Sequence, residues 1–215
     1  MASGTQTYIE TRGFHLRGFV GGALVGCCGA AAAMSAPAWT LDETWRTLAS
    51  SLGWAAFTVG GALRFWSTLY VGGRKVGGRR ESALTTVGPY SLCRNPLYVG
   101  SFLIGTAFAL WLTSATVLLA VLIAALHYAL VTVPEEESFL RREVGAAEFD
   151  AYCRRTPRYV PNFSGYTAPM EATFYNKALR NEARRASRLL AAGVLVAIVG
   201  ALRYADGWPR WFMLP

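Results

Sequence analysis

Five stretches of this chain carry almost no charge: Phe19 to Ala38, Leu48 to Leu63, Tyr98 to Leu112, Ala115 to Val133 and Leu189 to Leu202. No other feature limits the fold as strongly. Hydrophobic residues make up 53% of the 215 positions and charged ones 16%, an imbalance that a water-soluble domain of this size does not require. A helix needs roughly 20 apolar residues to cross the hydrocarbon core of a bilayer. The first and fourth stretches meet that length. The second meets it by running past Arg64 through Phe65, Trp66 and Leu69 to Val71, with the guanidinium snorkelling towards the near interface. Thr113 and Ser114 form a short polar turn between the third and fourth stretches, which predicts an antiparallel helical hairpin. The fifth has only 14 residues between Arg188 and Arg203, so a full span and an interfacial helix both fit it.

The expected fold class is therefore all-α: a polytopic membrane protein of about five transmembrane helices. Residues 1–71 read as a two-span N-terminal anchor and residues 72–163 as a core containing the hairpin and a cytoplasmic segment. Residues 164–215 read as a basic linker and a last span. The first stretch begins too late and is too long for a cleavable signal peptide. Its alanines and glycines suit close helix packing.

The net charge of +8 is unevenly spread. Arg74, Lys75, Arg79, Arg80 and Arg94 collect between the second and third stretches, against Glu81 alone, whereas Asp42, Glu43 and Arg46 lie between the first and second. Basic loops stay on the cytoplasmic side. That rule places the Gly72 to Pro96 loop, the N-terminus and the Pro134 to Arg188 segment inside, in a protein of the plasma (inner) membrane. Membrane orientation accounts for the charge, and no nucleic-acid-binding motif occurs. Cys27, Cys28, Cys93 and Cys153 form neither a disulfide framework nor a C-x-x-C pair, so no metal site is expected from them.

Two cytoplasmic segments flank the hairpin, and its short turn must bring them side by side. In the first, Gly88-Pro89 marks a turn. Asn95-Pro96 marks a helix start, with Asn95 as the cap and Pro96 at the first helical position. Free N–H groups at that helix start, together with Arg94, suit an anionic group. Tyr90 and Tyr98 offer aromatic faces to a cation. An ordinary membrane border with a tyrosine belt and a snorkelling arginine is the alternative. In the second segment, Glu135, Glu136 and Glu137 are consecutive. Side chains about 100° apart on a helix point in three directions, so at least one carboxylate faces back over the hairpin.

Taken together, Gly88-Pro89-Tyr90, Arg94-Asn95-Pro96-Leu97-Tyr98-Val99-Gly100, Glu136-Glu137, Leu140, Gly145, Phe149, Tyr152, Arg155, Pro157 and Pro161 resemble the motifs of one superfamily. It comprises the isoprenylcysteine carboxyl methyltransferases and phospholipid methyltransferases, small polytopic enzymes. The resemblance covers residues 75 to 163. It implies methyl transfer from S-adenosyl-L-methionine, held by the backbone of Ser82, Ala83, Leu84 and Thr85, by Tyr90, by Arg94, Asn95, Pro96, Leu97 and Tyr98, and by Glu136 and Glu137. Tyr152 and Arg155 of the tail motif are placed on the substrate side. Methyl transfer is an in-line displacement governed by alignment, and it needs neither a metal nor a nucleophilic side chain.

Two positions depart from the pattern. Asn95 stands where the family commonly has histidine and cannot serve as a base at neutral pH. Thr132 stands where prenylcysteine enzymes have an arginine suited to a carboxylate. A lipid amine or other amphiphilic acceptor, drawn from the bilayer, is therefore expected at the cytoplasmic face. Arg64 and His127 join the substrate candidates, each also explained by snorkelling or interhelical packing. Methylation of a small thiol or a prenylcysteine-type carboxylate, or a non-catalytic membrane scaffold, are the other readings. No protein partner is indicated.

Overall fold

The computed structural model describes residues 26–35, 42–72, 75–76, 79–80, 84–168, 176–205 and 207–208. Half of the first apolar stretch, together with Ser82 and Ala83, lies outside them. Residues 26–33 form α1, followed by α2 (Glu43–Gly72), α3 (Pro89–Leu92), α4 (Pro96–Leu112), α5 (Ala115–His127), α6 (Val133–Val144), α7 (Ala146–Arg155) and α8 (Asn176–Leu202). The described chain is helical apart from a single antiparallel pair, Lys75–Val76 on Arg79–Arg80, and a 3-10 turn at Phe163–Gly165.

Among the described residues, two helices are long and apolar enough to cross a bilayer: the continuous run Ala115–Val144 and Leu179–Leu202. Pro96–Leu112 is shorter, about 25 Å at 1.5 Å per residue. The last apolar stretch is no isolated 14-residue piece. Its helix begins at Asn176, so the arginines before Leu189 continue the same rod.

The 30-residue α2 runs unbroken through Arg64 and packs along α4. Gly60 and Gly100 meet at that contact, and a Cβ on either would lie 2.7 Å from the other's carbonyl oxygen. Small residues thus set the separation of the two helices. Towards the end nearer the α4–α5 turn, Trp54, Phe57, Phe108 and Trp111 form an aromatic cluster. The Trp54 and Trp111 rings are 4.7 Å apart, and the Trp111 indole N–H donates to the Ser50 carbonyl.

α4 and α5 are joined by Thr113, which takes a left-handed conformation, and by Ser114, whose hydroxyl accepts from the Val117 N–H as an N-cap. The two helices run against each other with Ala109 near Val117, Gly105 against Val121, and the Tyr98 ring 4.8 Å from that of Tyr128. The same end of the molecule is tied by Arg203, whose Nη2 donates to the Ser35 carbonyl at 2.9 Å. There Trp208 donates to the Ala33 carbonyl, and the Tyr204 hydroxyl donates to Thr113 Oγ1.

Between α5 and α6 the helix widens into a π turn, Tyr128–Thr132, in which the Val133 N–H reaches back to the Tyr128 carbonyl. Pro134 supplies the cause. It has no N–H for the Leu130 carbonyl and its ring would press on that oxygen, so the preceding turn opens.

The α2–α4 contact generates a direct test. Gly100→Ala should cost about 1–3 kcal/mol through overpacking and lower the melting temperature of the detergent-solubilised protein. At Gly61 an added Cβ would have nothing within 4 Å, so Gly61→Ala should leave the melting temperature unchanged or raise it.

Candidate functional site

The four-residue helix α3 and the start of α4 are held by the chain that follows α7. The Gly88 N–H donates to the Thr167 carbonyl, the Asn162 N–H to the Leu92 carbonyl and the Thr167 N–H to Ser91 Oγ. Gly88 adopts φ 61°, and a Cβ there would strike the Tyr70 ring, so this turn against α2 requires glycine. Pro96 opens α4 as expected, but Asn95 is not a side-chain cap. Its buried amide donates instead to the Arg158 carbonyl at 3.2 Å, because the returning 156–168 segment presents an acceptor there.

Arg94 is the cross-brace of the region. Its Nε donates to Glu137 Oε1 at 3.0 Å, and Nη1 donates to the carbonyls of Cys153 and Thr156 at 3.1 and 2.9 Å. Those carbonyls belong to the end of α7, which lacks partners within its own helix. The side chains of Arg94 and Glu137 are only 13% and 14% exposed. Arg158 closes on Glu137 from the open side. The Glu137 hydrogen bond and charge raise the Arg158 guanidinium above its ordinary value. An anion-binding role expected for Arg94 thus gives way, at Nε and Nη1, to a structural one.

Glu136 has a different environment. It accepts the Tyr98 hydroxyl at 2.5 Å and forms no ion pair among the described residues. Glu135 is exposed. Of three consecutive carboxylates, one is neutralised by arginines, one faces inward with its charge uncompensated by a cation, and one faces out.

Two cavities meet at this carboxylate. The smaller, about 350 Å³, is lined by Leu84, Thr85, Tyr90, Arg94, Asn95, Leu97, Tyr98, Glu136, Glu137 and Tyr152, with Val71, Phe139, Leu140 and Phe149 as its apolar wall. The larger, about 710 Å³, extends between α1, α2, α4, α5 and α8 from Glu136 and Leu97 to Leu112 and Val117. That path is about 22 Å along α4. Its polar lining, Arg64, Tyr98, Ser101, Tyr128, Thr132 and Glu136, gathers at the Glu136 end, and the remainder is glycine, alanine and large apolar side chains. Leu97, Tyr98 and Glu136 line both spaces. Both volumes lie in the range of small-molecule sites.

Burial, reinforced by Glu136, pushes the Tyr90 hydroxyl above its ordinary value, and burial does the same to Tyr152, whose hydroxyl donates to the Tyr90 carbonyl at 2.7 Å. Both phenols stay protonated at neutral pH. Burial pushes the Cys93 thiol up to about 11, so it is a packed side chain and not a nucleophile.

The smaller cavity therefore gathers Leu84, Thr85, Tyr90, Arg94, Asn95, Leu97, Tyr98, Glu136, Glu137 and Tyr152 of the sequence candidates. Pro96 is buried beneath it as the first helical residue. Arg64 lines the larger cavity and hydrogen-bonds Ser101. His127 and Arg155 are exposed and line neither cavity. Sequence reasoning missed Ser101, Tyr128 and Arg158, and gave Thr132 no place in the site. Pro134 was the signal for the turn that carries Tyr128 and Thr132.

The sequence profile of phospholipid methyltransferases matches residues 48–146, which contain the α2–α4 contact, both cavity-forming motifs and the π turn. The nickel-cobalt-cadmium resistance protein NccN of Alcaligenes xylosoxydans xylosoxydans is 32% identical over 178 residues, 81% of this chain and 79% of its own length. The chain belongs to the phospholipid methyltransferase family. It thus falls in the superfamily that its Gly88–Gly100 and Glu136–Glu137 motifs resemble, one of membrane methyltransferases that generally use S-adenosyl-L-methionine. The cobalt-zinc-cadmium resistance protein CzcN of Cupriavidus metallidurans is a second relative of this phospholipid methyltransferase family member, 36% identical over 128 residues, 58% of this chain and 55% of its own. No solved structure matches the chain.

The ion-pair geometry predicts unequal losses at Glu137. Arg94→Ala should destabilise the protein by about 2 kcal/mol or more, since it removes the buried partner of Glu137 and leaves two helix-end carbonyls without their donor. Arg158→Ala, from a residue 41% exposed, should cost about 1 kcal/mol or less. Denaturant unfolding of both variants in detergent checks the order.

Proposed function

We propose that this protein is an S-adenosyl-L-methionine-dependent methyltransferase whose acceptor is a lipid amine of the membrane, methylated at the cytoplasmic face. The observation that carries this reading is the junction of a small, mixed polar and aromatic cavity with a long apolar one at Tyr98 and Glu136. The methyl donor is soluble and the acceptor is not, and two spaces of unlike lining that share one wall suit that pair.

The residues of the smaller cavity fit the donor. Tyr90 and Tyr98 offer aromatic faces to a cation. Glu136 offers a carboxylate that no arginine among the described residues has neutralised, and buried Thr85 adds a polar side chain to the wall. When bound, S-adenosyl-L-methionine supplies a methyl group activated by its positive sulfur. The chain's own part is alignment and exclusion of water, which suffice for an in-line displacement. Tyr98 is held by its hydroxyl on Glu136 and by its ring against Tyr128, so the shared wall is fixed from both sides. A nitrogen that gains a methyl becomes cationic, and Glu136 is placed to balance that charge.

In this reading the chain crosses the bilayer about five times, with α4 and α5 as a transmembrane hairpin. The N-terminus and the junction then lie on the cytoplasmic side of the plasma membrane. The apolar cavity lies within the membrane and admits the acceptor's hydrocarbon laterally. The relatives' names concern resistance to nickel, cobalt, zinc and cadmium. For this chain we connect that to lipid methylation through the head groups, since methylating an amine removes N–H donors and enlarges the cationic head that metal ions meet at the surface.

The purified protein should bind S-adenosylhomocysteine, and Glu136→Gln should weaken binding roughly 10-fold, the loss of one charge-assisted contact. With an isotopically labelled methyl donor, cells making the protein should show a lipid pool heavier by one labelled methyl group, absent in cells without it. No binding at millimolar ligand and no labelled lipid would sink the enzyme reading in favour of a non-catalytic membrane protein.

A further inference from the structure

Helical serines and threonines in this protein turn their hydroxyls back onto the preceding turn: Ser67 onto the Leu63 carbonyl, Thr68 onto Arg64, Ser101 onto Leu97 and Thr106 onto Phe102. This is the usual way to satisfy a hydroxyl inside a helix. Thr132 departs from it. The Tyr128 carbonyl, four residues earlier, takes the Val133 N–H of the π turn instead. Thr132 Oγ1 is left buried with no hydrogen-bond partner among the described residues, in a side chain only 5% exposed.

Pro134 accounts for the π turn but not for a threonine at this place. Valine has the same shape and would leave no unsatisfied hydroxyl, which is costly when buried. The position of Thr132 supplies a reason. It stands four residues from both Tyr128 and Glu136, so the three share one face of the helix. All three line the larger cavity at its polar end, beside Tyr98. π turns of this kind are frequent at functional sites.

Resting on the methyltransferase reading above, we propose that Thr132 is a positioning residue for the acceptor. Its hydroxyl oxygen accepts an N–H of the amine head and so turns the nitrogen lone pair towards the shared wall at Tyr98 and Glu136. No bond to Thr132 forms or breaks. A consequence for specificity follows from the inventory of hydrogens. A neutral primary or secondary amine has an N–H to give Thr132, and a tertiary amine has none. Thr132 therefore favours the earlier methylations over the last.

The test compares wild type, Thr132→Ser and Thr132→Val in the full-length, detergent-solubilised protein, with phosphatidylethanolamine and its N,N-dimethyl form as probes. Without lipid, Thr132→Val should melt above wild type, because an unsatisfied hydroxyl has gone. Phosphatidylethanolamine should raise the melting temperature of wild type and Thr132→Ser but not of Thr132→Val. With that lipid, Thr132→Val should lose roughly 10-fold in kcat/KM. Thr132→Ser should stay near wild type, and the dimethyl lipid should show no such difference. A packing role predicts the reverse order, since valine keeps the threonine shape and serine leaves a gap. Valine equal to or better than serine with phosphatidylethanolamine, or equal losses with both lipids, would overturn the proposal. If wild type transfers no methyl to either lipid, the methyltransferase reading fails and the melting shifts still decide. A shift that follows the hydroxyl supports Thr132 as the head-group partner, and one identical or absent in all three proteins contradicts it.

Discussion

Arg94 holds together three pieces of chain that are distant in sequence. Its guanidinium reaches Glu137 on α6 and the carbonyls of Cys153 and Thr156 at the end of α7, while its own backbone N–H donates to the Pro157 carbonyl at 2.8 Å. A planar group with several fixed donors is needed to serve a carboxylate and two carbonyls at once, which a lysine ammonium does poorly. The brace acts together with the hydrogen bonds made by Gly88, Tyr152, Asn162 and Thr167 to hold α7 and the segment after it against α3, where Phe149 and Tyr152 wall the smaller cavity.

The brace also separates the fates of neighbouring carboxylates. Arg94 and Arg158 are both engaged by Glu137, and neither pairs with Glu136. Glu136 is turned about 100° around the helix and, among the described residues, meets only a phenol hydroxyl, which suits it to a cationic group. α5 and α6 are one rod, and the residues that face the lipid-sized space along α5 lead directly to that carboxylate. The widened turn at Tyr128–Thr132 lies between them, at the polar end of the larger cavity.

Much of this was legible in the sequence where the signals are local. Asn95-Pro96 marked the start of α4, Thr113-Ser114 marked its end, and the consecutive glutamates after Pro134 marked a carboxylate facing inward. The paired motifs around the third and fourth apolar stretches named most of the residues that line the smaller cavity. Partner choice was not legible. Asn95 looks like a cap, and only the return of the 156–168 segment shows that its amide serves Arg158. Arg94 looks like an anion site until its acceptors on α6 and α7 are seen. His127 precedes Tyr128 by one residue on a helix whose Val117, Val121, Ala124 and Tyr128 face the cavity, so it lies about 100° off that face and is exposed. The run through Arg188 read as a linker because its charge was weighed without its helical continuity, yet α8 is unbroken from Asn176.

The proposed reaction requires donor and acceptor to occupy different cavities and to meet at Tyr98 and Glu136. An experimental structure of the protein with S-adenosylhomocysteine tests it most directly. The ligand is expected in the smaller cavity among Thr85, Tyr90 and Glu136, with its sulfur directed past Tyr98 towards the apolar cavity. Ligand bound on the far side of the α4–α5 turn, or with its sulfur turned away from Tyr98, would contradict it.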